Sequence, residues 1–352
     1  MASTIPRTIP RTIPRTIPRT IPRTIPRRTA IATAIAAGTL AGSMRGWAMG
    51  SYPLEPAQRL VVPFAAGGTA DCVARIIAQI LNESTSSTFV VENWTGAGGN
   101  RSAEIVAKAR PDGRTLLLGT VNTAVTNQFL YRNIAYDCEA SFTPVALVAE
   151  VPNILVVHPT FPAGTFEEFV HYCKERGCDE LAYGSPGMGA TGHLTMEYLQ
   201  SQAGIKLRHV AYDGRSRMIK DLLAGNVQIV MDNLPTYLSH ARSGALRALA
   251  VSSTERWSTA PDVPSIAEQG YPDFEASLWW YVAAPAGTRL ELVKTLSDKI
   301  VQGLKSEAVV AKIRACGASE RPGNADELAR YIGAERAKWR KVIETARLKP
   351  LG

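Results

Sequence analysis

The sequence predicts a two-lobed α/β fold with a hinge between its lobes. Strand-like and helix-like segments alternate from about Gln58 onward, and two long extended stretches, Thr143 to His158 and Phe274 to Ala284, interrupt the alternation. Each half also carries a glycine-rich turn after a short apolar run. The first is Val61-Val62-Pro63-Phe64-Ala65-Ala66-Gly67-Gly68-Thr69-Ala70-Asp71, and the second is Tyr183-Gly184-Ser185-Pro186-Gly187-Met188-Gly189-Ala190-Thr191-Gly192-His193. A strand that turns through glycines into a helix leaves backbone N–H groups unpaired at the helix start, where the dipole is positive; that is an anion site. Two such sites suggest a ligand with two negative groups held between two halves.

The elements follow in order. Residues 1–50 hold eight arginines and no acidic residue, including six copies of Thr-Ile-Pro-Arg from Thr4 to Arg27. Proline at every fourth position denies the repeat a helix or a regular ladder, so disorder is expected there. Arg28, the uncharged stretch Ala30–Ala41 and the small residues Ala48-Met49-Gly50 then read as an N-terminal export signal. The rest of the chain holds 31 basic and 31 acidic residues. The overall charge of +8 therefore belongs to the leader, and a nucleic-acid partner loses its electrostatic support.

Arg59–Phe64 reads as a strand. Thr69–Leu81 reads as a helix, with Val73, Ile76, Ile77, Ile80 and Leu81 at helical spacing and Thr69 as its candidate cap. Thr88–Glu92 and Thr115–Gly119 are further strands, with a helix from Gly98-Gly99-Asn100 to about Lys108 between them. Near-continuous apolar strands alternating with helices argue a parallel sheet covered on both faces. Beyond the first extended stretch a second series repeats the pattern. Its strands are Leu181–Gly184, His209–Tyr212, Val227–Met231 and Leu246–Val251, with a helix at Ser216–Leu223. After the second extended stretch come helices at Leu290–Leu304 and Ala325–Thr345. The first lobe is then discontinuous: residues 51–152 and 275–352 form lobe 1, and residues 153–274 form lobe 2. Five cysteines (Cys72, Cys138, Cys173, Cys178, Cys316) show neither zinc spacing nor a disulfide framework. Either Cys173 pairs with Cys178 or the thiols are free.

Several stretches together resemble one family, the Bug-type periplasmic receptors of tripartite tricarboxylate transporters. They include Arg59-Leu-Val-Val-Pro-Phe with Gly67-Gly68 and Asp71, Val90-Val-Glu-Asn93 with Gly96-Ala-Gly-Gly-Asn100, and Pro111-Asp-Gly113. Further on are Tyr183-Gly-Ser185, Asp221-Leu-Leu-Ala-Gly225, Met231-Asp-Asn-Leu234, Pro261-Asp-Val-Pro264 and Ala284-Pro-Ala-Gly287. The resemblance runs from about Tyr52 to Leu348. It implies a type II periplasmic-binding-protein fold with a two-strand hinge and a ligand cleft. It also implies a periplasmic receptor, not an enzyme, that captures a small carboxylate and delivers it to membrane permease subunits, as a monomer without metal or cofactor.

Carried onto this chain, the first-lobe contacts fall on Phe64, Ala66, Gly67, Gly68, Thr69 and Asp71, and on Asn122, Thr123 and Asn127. The second-lobe contacts fall on Ser185, Gly187, Gly189, Thr191 and His193, and on Asp232 and Asn233. This chain departs from the family pattern with Asp213 where a lysine is usual, then Arg215.

The residues set bounds on these roles. Thr69 either donates to ligand or only caps its helix. Asp71 would repel a carboxylate, so it orients the turn, meets an ammonium group or is a plain first-turn charge. A structural hydrogen bond suits His193 as well as a ligand contact does. Arg215 either clamps a second carboxylate or faces solvent, and solvent is the expectation. Gly68→Val and Ser185→Trp are both expected to abolish binding in a folded protein.

Other readings share some residues. Gly187-Met-Gly-Ala-Thr-Gly192 with Asp213 matches a dinucleotide fingerprint, but Pro186 sits inside the turn and no partner half accompanies it. Ser185, His193 and Asp232 lack a nucleophile elbow and the hydrolase order. A ligand sensor would share the receptor fold.

Overall fold

The structure is a computed structural model that describes residues 57–177 and 180–351. The leader with its repeat, and Cys178, lie outside these residues. Ten strands and ten α-helices occur among the described residues.

The first lobe opens with β1 (Gln58–Val62), α1 (Thr69–Ser84), β2 (Phe89–Asn93), α2 (Asn100–Ala107), β3 (Thr115–Thr120) and the short α3 (Asn127–Leu130). A π-helical turn, Asn122–Thr126, precedes α3. The 16-residue strand β4 (Phe142–Val157) then leads into the second lobe. Next come α4 (Phe166–Arg176), β5 (Ala182–Ser185), α5 (Thr191–Ala203), β6 (Arg208–Ala211), α6 (Arg215–Leu223), β7 (Ile229–Asn233), α7 (Leu238–Arg242) and β8 (Arg247–Val251). Strand β9 (Ser277–Pro285) returns, followed by α8 (Leu290–Leu304), α9 (Glu307–Ala315), β10 (Ser319–Gly323) and α10 (Ala325–Thr345).

One mixed sheet runs β2-β1-β3-β9-β4-β7-β5-β6, with β8 and β10 also pairing with β4. Pairing is parallel where helices cross over, at β1/β2, β1/β3, β5/β6 and β5/β7. It is antiparallel along the two crossing strands. Strand β4 changes partners along its length. Phe142–Pro152 pairs with β9, while Asn153–Val157 pairs with β7. Asn153, fully buried at the changeover, holds several segments together: its side-chain amide donates to Thr195 Oγ1 (2.8 Å) and the Ala276 carbonyl (3.0 Å) and accepts from Thr191 Oγ1 (3.5 Å).

The amphipathic faces account for the helices. Val73, Ile77 and Leu81 of α1 are fully buried, and Met218 and Leu222 of α6 anchor a second core with Val230, Tyr237 and Trp257. Capping boxes start α4 (Thr165 with Glu168) and α10 (Asn324 with Glu327). Cys72 on α1 is disulfide-bonded to Cys316, just past α9, across 244 residues of sequence. Cys173 is buried and free, so the contemplated Cys173–Cys178 bridge is not formed.

Candidate functional site

The first glycine turn starts where Pro63 ends β1. Gly67 takes a left-handed conformation (φ +85°), which a residue with a Cβ rarely adopts. Its amide donates to Asp71 Oδ2 (3.0 Å), and the same carboxylate accepts Arg75 Nε (2.9 Å) and Nη2 (3.1 Å) and Asn93 Nδ2 (3.0 Å). The hydrogen bonds from Arg75 hold the Asp71 carboxyl below the usual carboxylate range against the opposing effect of burial, helped by the Gly67 amide and Asn93. Asp71 thus orients the turn. Thr69 does not cap α1: the N-cap is Gly68, with no side-chain cap bond. The first helical bond joins the Cys72 amide to the Gly68 carbonyl (3.0 Å), so the amides of Gly68, Thr69 and Ala70 have no acceptor among the described residues.

The second turn is braced from below by rings. Tyr183, His209 and His193 stack, with the two imidazole centroids 3.9 Å apart. Ser185 Oγ lies 2.7 Å from His209 Nε2 and donates to the Gly187 carbonyl (3.0 Å), while the Gly189 amide donates to His193 Nδ1 (3.0 Å). That last bond makes Nδ1 an acceptor and the imidazole neutral. Burial, with His209 beside it, pushes the His193 pKa down to about 3, and burial takes His209 to about 4. Gly192 lets α5 press against β7: a Cβ there would overlap the Met231 carbonyl oxygen.

A third helix start joins them. The Gly214 amide donates to the Pro186 carbonyl (3.3 Å), tying the start of α6 to the second turn. Arg215, the first residue of α6, donates through Nε (2.7 Å) and Nη2 (3.0 Å) to the fully buried Asp232, which also accepts Tyr237 Oη (3.2 Å). Burial works against the Arg215 charge, but Asp232 outweighs it and the guanidinium stays protonated.

The three helix starts open into one cleft of about 740 Å³. Of the sequence-predicted residues, Phe64, Ala66, Gly67, Gly68, Thr69, Asn122, Asn127, Gly187, Gly189, Thr191 and Asn233 line it. Asn127 does so while bonded to the Gly98 carbonyl and Asn100. Asp71, Thr123, Ser185, His193 and Asp232 do not line it. They are buried behind it, each bonded to a segment that does or to its neighbour; Thr123, for example, bridges the Thr120 amide and carbonyl. Because Ser185 is fully buried against His209, Ser185→Trp is expected to unfold this lobe, contrary to the sequence expectation.

Arg215 corrects a second expectation. It forms part of the cleft wall and does not simply face solvent. Its partner Asp232 lies on the neighbouring element, 17 residues along, which spacing alone does not reveal. The sequence reading also missed Tyr131, Met188 and the apolar floor of Val151, Leu278 and Trp280 from β4 and β9. Nothing distinguishes these from hinge-strand core in the sequence. Among the described residues, no cluster of His, Cys, Asp or Glu has the makings of a metal site.

A two-lobed α/β molecule with helix N-termini around an interlobe cleft is built to hold a small anionic solute. A family model described as the tripartite tricarboxylate transporter family receptor matches residues 73–348, and the chain belongs to that family. It is 36% identical to Protein BugT of Bordetella pertussis over 294 residues, 83% of this chain and 90% of that protein. Among solved structures it is similar to R. palustris Rpa4515 with adipate, at 38% identity and TM-score 0.73, covering 84% of this chain and 98% of that one. It is also similar to the periplasmic binding protein BugD, at 31% identity and TM-score 0.69, covering 84% and 98%. The family is one of receptors, and the dinucleotide and hydrolase readings fall away with it.

Proposed function

We propose that this protein is an exported receptor that captures a small carboxylate in the interlobe cleft and delivers it to the permease of a tripartite tricarboxylate transporter. The observation that carries this reading is the convergence of three helix N-termini, those of α1, α5 and α6, on a single cleft. A carboxylate entering it exchanges hydration for directed amides, without which its desolvation would be prohibitive. The adipate bound by Rpa4515 supports a carboxylate ligand. The disulfide between Cys72 and Cys316 suits an oxidising compartment, and BugD is periplasmic.

In this reading lobe 1 comprises residues 51–152 and 275–352, and lobe 2 residues 153–274. Ligand bridging the two glycine turns favours the shut form. Backbone amides of Gly68, Thr69 and Ala70 grip one end of the ligand, and the Gly187–Thr191 turn and the start of α6 grip the other. Asn122, Thr191 and Asn233 add polar contacts. Asp71, Thr123, Ser185, His193 and Asp232 act from behind, by fixing the groups that touch ligand.

Native mass spectrometry of the protein purified from its own periplasm, followed by calorimetry with the acid found, tests the reading. Gly68→Val is expected to weaken that acid at least tenfold in a folded protein. The backbone there is ordinary and an added Cβ meets only the Ala65 carbonyl at 3.8 Å, so the fold accepts a side chain that crowds the cleft. Recovery of a non-acidic ligand, or unchanged affinity in Gly68→Val, would overturn it.

A further inference from the structure

The start of α6 breaks a local rule. The first turn of a helix carries a positive partial charge and favours acidic side chains, yet α6 begins Arg215-Ser216-Arg217 with no acidic residue in that turn. A cation at this end lacks local support. Asp232 supplies it: the carboxylate is fully buried on β7 and takes two parallel hydrogen bonds from Arg215. Burying a carboxylate is costly unless it is paired, so the two residues form a unit in which neither stands alone. Such conflicts between local preference and retained structure tend to fall at functional positions.

Geometry then says which part of the unit is available. A guanidinium is planar and has five N–H donors in a fixed fork. Asp232 occupies the Nε/Nη2 edge. One N–H of Nη1 and the outer N–H of Nη2 form a second edge, on which no acceptor lies among the described residues. The plane is rigid, so the edge held on the buried carboxylate fixes the direction of the second edge, which diverges from it. The Arg215 side chain is 44% exposed, and it contributes to the wall of the cleft. Tyr237 Oη holds Asp232 from another side, so the fork is fixed before any ligand arrives.

We infer that Arg215, held by Asp232, is a second-lobe clamp that selects ligands with two carboxylates over ligands with one. The inference rests on the receptor reading and narrows its substrate class. A first carboxylate sits on the amides of Gly68, Thr69 and Ala70. The ligand's apolar middle lies along Val151, Leu278 and Trp280. The second carboxylate takes the outer edge of the Arg215 fork, which donates two parallel bonds in the geometry that carboxylates favour. Asp232 already balances the guanidinium charge, so this end selects by directed donors and by the loss suffered when they stay unmet, not by bulk charge.

The test is calorimetry on the purified full-length protein with paired probes: succinate against butyrate, glutarate against pentanoate, adipate against hexanoate. The wild type is expected to prefer the best diacid over its matched monoacid at least tenfold. Arg215→Lys keeps the charge beside Asp232 but has no second planar edge, so the preference is expected to fall by tenfold or more. Arg215→Gln with Asp232→Asn removes the buried charge with its partner and is expected to erase the preference, with circular dichroism checking the fold. A wild type that binds mono- and diacids equally, or a Lys variant that keeps the preference, overturns the clamp and leaves the carboxylate receptor standing. A wild type that binds none of the six acids, and carries no acid from its native source, overturns both.

Discussion

The first-lobe turn at Gly67–Thr69 is braced by charge: one carboxylate, Asp71, gathers the Gly67 amide, Arg75 and Asn93. The second-lobe turn at Pro186–Ala190 is braced by neutral rings within an aromatic stack: His193 accepts from the Gly189 amide, and His209 Nε2 holds Ser185 Oγ. Their helices are anchored differently as well. Helix α1 is tied covalently through Cys72 to Cys316, whereas α5 is seated by the close approach of Gly192 to Met231. The same local motif, a strand turning through glycine into a helix, is thus supported by whatever lies behind it. Equivalent turns should therefore fail under different conditions, and that difference can be measured.

The largest expected effect tests the covalent anchor. Replacing both Cys72 and Cys316 by Ser removes a crosslink spanning 244 residues and is expected to cost about 2–4 kcal/mol in urea unfolding. If the turns are braced independently, amide exchange will speed up along α1 and stay unchanged along α5. Equal loosening of both helices would show the two supports to be one.

Acid should separate the turns next. His193 is held neutral in the fold, with its pKa near 3 instead of 6.5, because burial and then His209 oppose its charge. Between those values the unfolded chain binds more protons at this site, so stability falls as pH falls, at roughly 1 kcal/mol per pH unit. Asp71 has the opposite charge type and a lowered pKa. Its contribution is present above 3.8 and is lost only as pH drops through its folded value below that. Mild acid therefore strains the second turn while the first stays intact. Glu197, whose carboxyl burial raises, takes up protons in the fold and works against the histidine effect. The clean measurement is the difference between wild type and His193→Asn, whose side-chain oxygen still accepts from Gly189. That difference should shift in favour of the variant from pH 6.5 downward. A difference independent of pH would break the contrast.

Much of this architecture was legible because it is local. The amphipathic faces of Leu290–Leu304 and Ala325–Thr345 predict helices with the bounds that α8 and α10 have. The apolar runs Val145–Val148 and Ile154–Val157 announce β4, the apolar stretch of Leu278–Ala284 announces β9, and the glycines mark both turns. What escaped is what distance in sequence hides. Cys173 and Cys178 invite pairing by proximity, but Cys72 reaches Cys316 only because the C-terminal segment packs back on α1. Arg215 reads as a solvated charge until β7 brings Asp232 to it. Strand β10, with Glu320, Arg321 and Pro322, lacks any strand pattern and forms only because it adds to the edge of β4. The candidate site shows the same division: backbone donors announce themselves through glycine, and side-chain readers depend on the fold.

The smallest effect concerns the place where the two turns meet. Asn122, in the π-helical turn of the first lobe, donates through Nδ2 to the Gly189 carbonyl of the second turn (3.0 Å). The same amide donates to Thr126 Oγ1 (3.1 Å), which fixes its direction. One such bond contributes about 1 kcal/mol, enough to change the balance of open and shut forms several-fold but not to decide it. Asn122→Ala should therefore leave unfolding nearly unchanged, enlarge the unliganded molecule in small-angle scattering, and weaken ligand by less than tenfold. The loss should appear mainly as faster dissociation, because the bond is present only once the turns face each other. An unliganded scattering profile identical to that of the wild type would mean that the turns are held in register by the hinge strands alone, and that their different supports never communicate.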